Sequence, residues 1–546
     1  MGNTMSILTP FLGGLGLFIY AMQVLANGLE DAAGNKLKKL LQVLIKNKFM
    51  GVLLGFGVTA IIQSSTTTTV MVVGFVNSGV MNLSQAIGVV MGANVGTTLT
   101  AWIIASGEWA SFLNPSNYAP LAIAIGVFMM ILSRRKATKD ISNILLGFGM
   151  LMVGISTMSA AVSPLRESEA LHNLFIHFGD NPLLGILAGT VVTIIVFSST
   201  ASVGILQSLA VVGLVPFNAA VYIIMGQNIG TTITALLSSI GAKKAAKTAA
   251  LMHLLFSVFG TIIFVGVAML LFNVINPALA GSTISQTQIS MVHTIFNVGA
   301  LLILYPFSEL LVKLAKKISR VEEVELAENK LHLDDRVLET PAIALQTTIG
   351  EVGRMGTIVS DVLNLSKRVL FKDSPSDIKK ILEEEKEIDR LCKEASEYLV
   401  KISSKSNNED DVRQVADLLS VLSDMERISD YCENIAESSK HLFQLKHTFS
   451  DTAREELEHM VEVCVDSYKY ALEAFINNDK GIAEKAIELE RKTDELEQSM
   501  RNGHMKRLSS EMCNSEVGVI FLDTIVNLER ISDHARNMAE VVLAEH

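Results

Sequence analysis

The sequence predicts an all-α protein in which a polytopic membrane domain, built from inverted repeats with two re-entrant hairpins, precedes a soluble helical-bundle domain. Three observations lead to this fold class: a change of charge near residue 320, a grouping of the basic residues, and an internal repeat. Residues 1–320 consist mainly of long apolar runs and contain 17 Lys+Arg and 8 Asp+Glu residues. Residues 321–546 contain 28 Lys+Arg and 48 Asp+Glu residues. Because 546 residues exceed one ordinary domain, we expect a membrane domain at 1–320, a linker at 321–340 and a helical domain at 341–546.

The N-terminus and the cysteines agree with this division. The first apolar run, residues 7–29, is long enough to span a bilayer and lacks a basic segment before it, so we expect a retained span rather than a cleaved signal. No cysteine lies in a CxxC arrangement, and all four lie in the acidic half: Cys392, Cys432, Cys464 and Cys513. Reduced thiols in a cytoplasmic domain are therefore expected.

The basic residues of the membrane domain lie in four groups. These are Lys36, Lys38, Lys39, Lys46 and Lys48; Arg134, Arg135, Lys136 and Lys139; Lys243, Lys244 and Lys247; and Lys313, Lys316, Lys317 and Arg320. Basic residues concentrate in cytoplasmic loops. Placing all four groups inside leaves only Arg166 outside, and predicts an outside N-terminus and a cytoplasmic C-terminal domain. The expected crossings lie near 6–30, 84–106, 118–133, 141–162, 219–240, 249–272 and 291–312.

Two apolar stretches, 49–81 and 182–215, remain outside these crossings. Each must begin and end on one side of the membrane if the charge rule holds, the first on the inside and the second on the outside. We therefore expect two re-entrant helical hairpins. A membrane tolerates such broken backbone only where it is buried in protein or lines a cavity.

The two hairpins carry an internal repeat. Residues 59–101 align without gaps on residues 193–235 at an offset of 134, with 15 of 43 positions identical. Because the hairpins are expected to enter from opposite sides, the repeat is inverted, with halves at about 5–135 and 140–315. Inverted repeats with Gly-interrupted segments are typical of secondary transporters, whose binding sites lie near the bilayer midplane.

The residue types in the repeat suit an uncharged binding site. Residues 63–69 offer a dense run of small donors and acceptors, and Gly92–Thr98 is expected to supply a second helix break nearby. Half-helix N-termini favour an anion, whereas freed carbonyls and hydroxyls suit sodium. The candidate binding residues are Gln63, Ser64, Ser65, Thr66, Asn94, Thr97, Thr98, Ser198, Ser199, Thr200, Asn228, Thr231 and Thr232.

The alternative for these residues is packing, because small residues occur where membrane helices approach closely and Ser or Thr can bond back to its own helix. Two matched polar sets in oppositely oriented hairpins favour the binding site over packing. His253 and His293 also lie in expected spans. An intramembrane histidine indicates either function or a hydrogen bond between helices, and we assign neither as a ligand.

The acidic half predicts six long amphipathic helices in two three-helix units, with breaks at Pro375, Asn407–Asn408, Asp479–Gly481 and Gly503. A second repeat supports the units, because residues 424–437 match residues 527–540 at an offset of 103. Acidic pairs at i and i+4 share a helix face: Glu385, Asp389, Glu426, Asp430, Glu490, Asp494, Glu529 and Asp533. These carboxylates could converge on a divalent or iron-type metal, or they could form an ordinary solvated acidic face.

These motifs resemble two known families. The paired QSST/FSST and GANVGTT/GQNIGTT segments resemble the bacterial sodium/phosphate cotransporter family related to the type II carriers, and the ERISDxxxNxAE segments resemble a PhoU domain. The first resemblance implies transport of inorganic phosphate by alternating access, with sodium ions co-transported, and a site at Gln63–Thr66, Ser198–Thr200 and the loops of Asn94 and Asn228. The second implies a cytoplasmic regulatory domain that can bind metal clusters.

One departure from the family pattern concerns the second repeat. Phe197 stands where Gln63 leads us to expect glutamine, and Gln227 stands where the first repeat has Ala93. A phosphate-sensing membrane scaffold without productive flux is therefore an alternative, as is a carrier of another oxyanion such as sulfate.

The expected partners are phosphate, sodium and the lipid of the cell membrane, with a homo-oligomer or a regulatory partner bound through the PhoU-like domain, and no nucleic acid. The sequence has no P-loop, nucleophile elbow or His/Cys metal cluster, and we do not expect an enzyme.

Overall fold

The computed structural model describes residues 2–42, 47–78, 80–109, 115–133, 135–320, 331–406, 408–510 and 514–544. The chain is 89% helical, and no β-strand occurs in these ranges. It forms two compact units, Met1–Leu326 and Ala327–His546. The predicted all-α fold, a polytopic membrane part followed by a helical domain, is confirmed.

The first unit contains the membrane-crossing elements. Its helices are α1 (Gly2–Gln42), α2 (Lys48–Ile62), α3 (Ser65–Ser78), α4 (Leu83–Gly96), α5 (Thr98–Trp109), α6 (Pro115–Leu132), α7 (Lys136–Val162), α8 (Glu169–Asp180), α9 (Pro182–Val196), α10 (Ser199–Val211), α11 (Phe217–Ser238), α12 (Lys244–Leu270), α13 (Pro277–Ala280), α14 (Gln286–Leu304) and α15 (Ser308–Ser319). Six helical stretches among the described residues are long and apolar enough to cross a membrane.

Two details of these elements differ from the sequence prediction. The expected crossing at 291–312 is instead the helix Gln286–Leu304, followed by the separate helix Ser308–Ser319. Pro306 lies between them, and proline has no backbone N–H with which to continue the helical hydrogen bonding. The helix Glu169–Asp180, which was not predicted, meets α9 at a bend of 112°. Asn181 lies at this bend, where its side chain accepts a hydrogen bond from Leu183 N.

Both predicted hairpins are present as pairs of short helices. The first is α2 with α3 and the second is α9 with α10, and the four helices have 15, 14, 15 and 13 residues. A helix of this length reaches about 20–22 Å, which is less than the bilayer core of about 30 Å. Neither arm could therefore cross a membrane alone. Gly79, at the end of the first predicted hairpin, lies outside the described residues.

Glycines let each hairpin lie close along a longer helix. A Cβ atom at Gly92 of α4 would lie 2.0 Å from the Val52 carbonyl oxygen of α2. The same relation holds 134 residues later, where a Cβ atom at Gly226 of α11 would lie 2.0 Å from the Ile186 carbonyl oxygen of α9. Only glycine allows backbones to approach so closely, so these repeated glycines serve helix packing.

The second unit consists of six long helices. They are α16 (Pro341–Phe371), α17 (Pro375–Lys405), α18 (Glu409–Gln444), α19 (Asp451–Asn477), α20 (Lys480–Ser509) and α21 (Ser515–Leu543). Gly503 lies inside α20, which continues to Ser509, so the break expected at Gly503 is wrong.

Part of the predicted linker contacts the second unit. Residues 321–330 lie outside the described residues. In the part that follows, the His332 Nδ1 atom lies 3.0 Å from Glu351 Oε1 of α16, and the Tyr398 hydroxyl of α17 donates to the Asp334 carbonyl at 2.7 Å. The described segment before α16 is thus anchored to the helical bundle.

Candidate functional site

The two hairpin tips have the same unusual backbone conformation. Gln63 ends α2 at φ 57° and Phe197 ends α9 at φ 53°, both in the left-handed region that few non-glycine residues adopt. Holding such a residue there costs on the order of 1–3 kcal/mol and persists only where the surrounding structure demands it. The two repeats therefore share the backbone conformation of the tip, although the side chain at that position differs.

The first tip is closed by its own hydrogen bonds. Thr100 Oγ1 of α5 donates to Gln63 Oε1 at 2.9 Å, and Thr59 Oγ1 donates to Thr68 Oγ1 at 2.9 Å across the hairpin. Ser64 Oγ accepts from Thr67 N at 3.1 Å and so caps the start of α3. Because Gln63 is only 6% exposed, its amide is held between the hairpin and α5.

The second tip is more open. Ser198 Oγ accepts from Ala201 N at 3.1 Å, which repeats the cap made by Ser64. Phe197, in contrast, is 56% exposed. Thr193 and Ser202 correspond to Thr59 and Thr68, yet both of their buried hydroxyl oxygens lack a hydrogen-bond partner among the described residues. The two half-sites share a backbone and differ in their polar contacts.

Each hairpin packs against helices of the other repeat. Val73 of α3 belongs to a buried cluster with Ala235 of α11 and with Ala246 and Ala250 of α12. In the other copy, Gln207 of α10 donates to the Ala101 carbonyl of α5 at 3.2 Å. Positions 73 and 207, and positions 101 and 235, are partners in the repeat, so the contacts are reciprocal. These contacts join the two repeats along α3 and α10.

Four of the candidate hydroxyls bond back to their own helices. Thr97 Oγ1 donates to the Ala93 carbonyl and Thr98 Oγ1 to Val95, while Thr231 Oγ1 donates to Gln227 and Thr232 Oγ1 to Ile229. These bonds are those of the packing alternative. They leave each oxygen with a lone pair and do not exclude binding.

The loop that the family resemblance implies at Asn228 is absent. Helix α11 runs without interruption from Phe217 to Ser238. Gly226 and Gly230 do not open the helix, because both face α9, where a Cβ atom at Gly230 would lie 2.7 Å from Thr193 Cβ. In the first repeat the helix is interrupted only at Thr97, between α4 and α5.

The two intramembrane histidines, His253 and His293, are buried. His253 Nε2 lies 3.4 Å from Asn94 Oδ1, whereas Asn228 Nδ2 donates to its own helix at the Ile224 carbonyl. Nδ1 of His253 and Nδ1 of His293 are buried without a hydrogen-bond partner in the described part of the chain. His253 thus joins the candidate Asn94 to α12, and the two asparagines of the repeat are not equivalent.

Sequence reasoning missed several residues of these tips. Thr59, Thr68 and Thr100 make the bonds that close the first tip, and Gln207 is a buried polar residue in the second repeat. The signal was available for Thr59 and Thr100, because both recur at the offset of 134. No such signal marks Gln207, whose partner in the repeat is Val73.

The second unit brings the first set of acidic residues together between α17 and α18. Burial raises the pKa of Glu385 above its ordinary value, and the negative charges of Glu433, Asp430 and Asp389 raise it further. Arg427 Nη1 lies 3.4 Å from Asp430 Oδ2. Glu433 was not among the predicted ligands, although it lies on the same helix face.

The other acidic set lies between α20 and α21. Glu490, Asp494 and Asp533 each place one carboxylate oxygen within 4.8 Å of the others, which suits a hard cation. Arg536 stands where the first set has Glu433, and its guanidinium donates to Glu490. Burial raises the pKa of Glu490, which is 2% exposed, and Arg536 opposes this shift. The two sets therefore differ in net charge.

Comparison with known proteins gives matches along nearly the whole chain. The profile of the Na+/Pi-cotransporter family matches residues 17–160 and 163–304, and that of the PhoU domain matches residues 352–439 and 457–542. Over 99% of its length the chain is 25% identical to "Putative inorganic phosphate export protein YjbB" of Salmonella typhimurium, and it covers 98% of that protein.

Two further relatives match shorter lengths. The chain is 30% identical over 318 residues to "Uncharacterized protein YqeW" of Bacillus subtilis, which is 57% of this chain and 97% of that protein. It is 35% identical over 96 residues to "Sodium-dependent phosphate transport protein 2A" of Rattus norvegicus, which is 17% of this chain and 15% of that protein.

Proposed function

This chain belongs to the Na+/Pi-cotransporter family, and on that premise we propose that it carries inorganic phosphate across the cell membrane together with sodium ions. Alternating access of the two hairpins would expose the site to each side in turn. The PhoU-like unit would regulate the flux from the cytoplasm.

The reciprocal packing of the two hairpins carries this proposal. Each tip places serine hydroxyls at the start of a half-helix, at Ser64 for α3 and at Ser198 for α10. The free amides of a helix N-terminus favour an anion. Two such N-termini on crossed hairpins give a tetrahedral oxyanion donors from both repeats.

The charge of the site supports coupling to a cation. The sequence has no Lys, Arg, Asp or Glu between Phe49 and Trp102, or between Asn181 and Ala242. A buried anion without a fixed positive partner costs several kcal/mol. Co-bound sodium ions would supply the missing positive charge, and sodium would thereby drive phosphate movement.

We further propose an outside N-terminus and a cytoplasmic C-terminal unit, because this orientation puts sixteen of the 17 basic residues of the membrane domain inside. The direction of flux is a separate question. The Salmonella relative, which matches both units, is named for phosphate export, and the rat relative is named for sodium-dependent phosphate transport. Both uptake and efflux therefore belong in the test.

Phe197 favours a second candidate, a membrane scaffold that binds phosphate without carrying it. Its side chain cannot donate or accept the hydrogen bonds that Gln63 makes in the first repeat. Labelled phosphate loaded into, or added outside, liposomes that contain the purified protein separates the two candidates. Flux in either direction supports the carrier, and saturable binding without flux supports the scaffold. Excess sulfate and excess unlabelled phosphate would be compared as competitors. Equal suppression of labelled phosphate flux by the two anions would identify a general oxyanion carrier.

The PhoU-like unit is proposed to hold a divalent or iron-type metal between its helices. The convergence of Glu490, Asp494 and Asp533 supports this, whereas the bond from Arg536 to Glu490 opposes it. Metal analysis of the protein after anaerobic purification tests the proposal, and a metal-free protein would leave these carboxylates as surface charge.

A further inference from the structure

The second repeat contains buried oxygens that nothing in the described chain satisfies. Thr193 Oγ1 of α9, Ser202 Oγ of α10 and Gln227 Oε1 of α11 all lack hydrogen-bond partners there. The three residues are 1%, 1% and 2% exposed. Leaving a buried polar group unpaired costs about 1–3 kcal/mol, so three together indicate a bound group that completes them.

Two of these oxygens have counterparts in the first repeat. Thr193 and Ser202 correspond to Thr59 and Thr68, whose hydroxyls lie 2.9 Å apart across the first hairpin. In the first repeat this pair is closed by a direct hydrogen bond. In the second repeat the two corresponding hydroxyls are buried and make no such bond, so both oxygens remain available to a third group.

Gln227 lies on α11 where that helix packs against α9. A Cβ atom at Gly189 of α9 would lie 3.0 Å from Gln227 N, and a Cβ atom at Gly230 would lie 2.7 Å from Thr193 Cβ. Gly189 and Thr193 are one turn apart in α9, as are Gln227 and Gly230 in α11. The Gln227 side chain therefore starts within about one turn of Thr193. Its counterpart in the first repeat is Ala93, which has no polar side chain.

We propose that these three side chains form a cation site of the second repeat, with Gln227 supplying the amide oxygen that Phe197 cannot. The proposal rests on the sodium coupling proposed above. An amide oxygen and two hydroxyls are hard, neutral ligands, and α9, α10 and α11 contain no charged residue. A neutral set suits a monovalent ion such as sodium, since a divalent ion would bring uncompensated charge into a buried site. The last carbonyls of α9, freed where the helix ends, are available as further ligands.

With this site, the two repeats would have different roles. The first tip is complete without an ion, because Gln63, Thr59 and Thr68 are all hydrogen-bonded. The second tip becomes complete only when the cation joins α9, α10 and α11. Ion binding would thus order the second hairpin before phosphate binds, with the amide ligand moved from the tip to the neighbouring helix.

The test is sodium-dependent thermal stability of the purified full-length protein, measured in NaCl against choline chloride and KCl. A ligand that binds only the folded protein raises the melting temperature with its concentration. We expect sodium to raise it in the wild-type protein and in Thr59→Val, which alters the hydrogen-bonded pair of the first repeat. We expect Thr193→Val and Gln227→Ala to raise the half-saturating sodium concentration about tenfold or more, as loss of one ligand requires.

A rescue variant distinguishes a ligand from a packing residue. Phe197→Gln in the Gln227→Ala background returns an amide to the tip, and we expect it to recover sodium-dependent stabilisation. Wild-type half-saturation in both Thr193→Val and Gln227→Ala would overturn the site and leave a buried water as the occupant. Absence of sodium stabilisation in the wild-type protein would overturn it as well. Phosphate flux through liposomes, measured separately, tests the proposed transport, so failure of one proposal can be told from failure of the other.

Discussion

Gln63 and Phe197 occupy equivalent positions with nearly equal backbone angles, yet only Gln63 is held by a neighbouring hydroxyl. The left-handed conformation therefore comes from the hairpin and not from the identity of the residue. At the second tip the Phe197 ring is exposed and has no polar atom, so it cannot serve as a polar ligand. The polar chemistry of the second repeat must then come from other residues, of which Ser198 is the nearest along the chain.

The tip serines allow a direct test at this scale. Ser64 and Ser198 cap α3 and α10, and each Ser→Ala change should cost about 1 kcal/mol of stability, which is too little to unfold the protein. We expect the double variant Ser64→Ala, Ser198→Ala to lower phosphate flux about a hundredfold or more, because two hydrogen bonds to a charged ligand are lost. Flux of labelled phosphate and the melting temperature would be measured together.

Ser106→Ala is the matched control, since the Ser106 hydroxyl donates only to the Ile103 carbonyl of its own helix. Its flux should equal that of the wild-type protein. Wild-type flux in the double serine variant would instead show that the two hydroxyls serve packing.

Comparing the sequences of the two repeats identified many of these residues but did not predict their contacts. The recurrence of Ser64 and Ser198 pointed to the tips, and the difference between Gln63 and Phe197 marked the repeats as unequal. It could not show that Thr97 and Thr231 bond back to their own helices, because recurrence is the same for a ligand and for a packing residue. Gln207 was missed for the opposite reason, since Val73 makes the corresponding contact with an apolar side chain and the polar residue does not recur.

Among the elements, the hairpins were predictable and the helix breaks were not. Grouped basic residues leave 49–81 and 182–215 without a crossing, and this suffices to predict helices that turn back. The glycines at 92, 96, 226 and 230 resemble break signals, but a glycine that packs against a backbone and a glycine that opens a helix look alike in sequence. Only the approach of α9 to α11 distinguishes them.

The packing glycines give a second prediction. A Cβ atom at Gly92 would meet the Val52 carbonyl oxygen at 2.0 Å, and backbone cannot move aside as a side chain can. We expect Gly92→Ala to lower the free energy of unfolding by about 1–3 kcal/mol or more. Gly13→Ala is the control, because no heavy atom lies within 4 Å of its added Cβ. A melting temperature of Gly92→Ala equal to that of the control would contradict the close contact of α2 and α4.

The acidic sets of the helical bundle give a third prediction, based on pH. Burial and neighbouring carboxylates raise the pKa of Glu385, so the folded unit binds its proton more tightly than the unfolded chain does. Its favourable contribution is present below the ordinary pKa of glutamate and is lost as the pH rises through the raised value. We expect Glu385→Gln to raise the melting temperature of the unit 327–546 at pH 7.5, with a smaller gain at pH 5.

The exposed Glu397 lies on the same helix, and Glu397→Gln should change the melting temperature little at either pH. Manganese added at pH 7.5 should stabilise the wild-type unit more than the Glu385→Gln variant if the carboxylates bind metal. A melting temperature of Glu385→Gln that falls at pH 7.5 would contradict the repulsion within the first acidic set.

At the scale of the whole molecule, charge alone separates the two units. Residues 1–320 have 17 basic and 8 acidic residues, a net charge of +9. Residues 321–546 have 28 basic and 48 acidic residues, a net charge of −20. The compact units divide between Leu326 and Ala327. Composition predicts the fold class because a bilayer excludes charge and a solvated bundle requires it. It does not predict how the hairpins exchange partners, since that exchange depends on contacts between residues more than a hundred positions apart.

The central claim is that the uncharged site needs sodium to carry phosphate, and a gradient experiment tests it most directly. Liposomes containing the purified protein would receive labelled phosphate under a sodium gradient, a potassium gradient of equal size, or sodium at equal concentration on both sides. We expect phosphate to accumulate transiently above its equilibrium level only under the sodium gradient. Equal phosphate movement under sodium and potassium gradients would contradict sodium coupling.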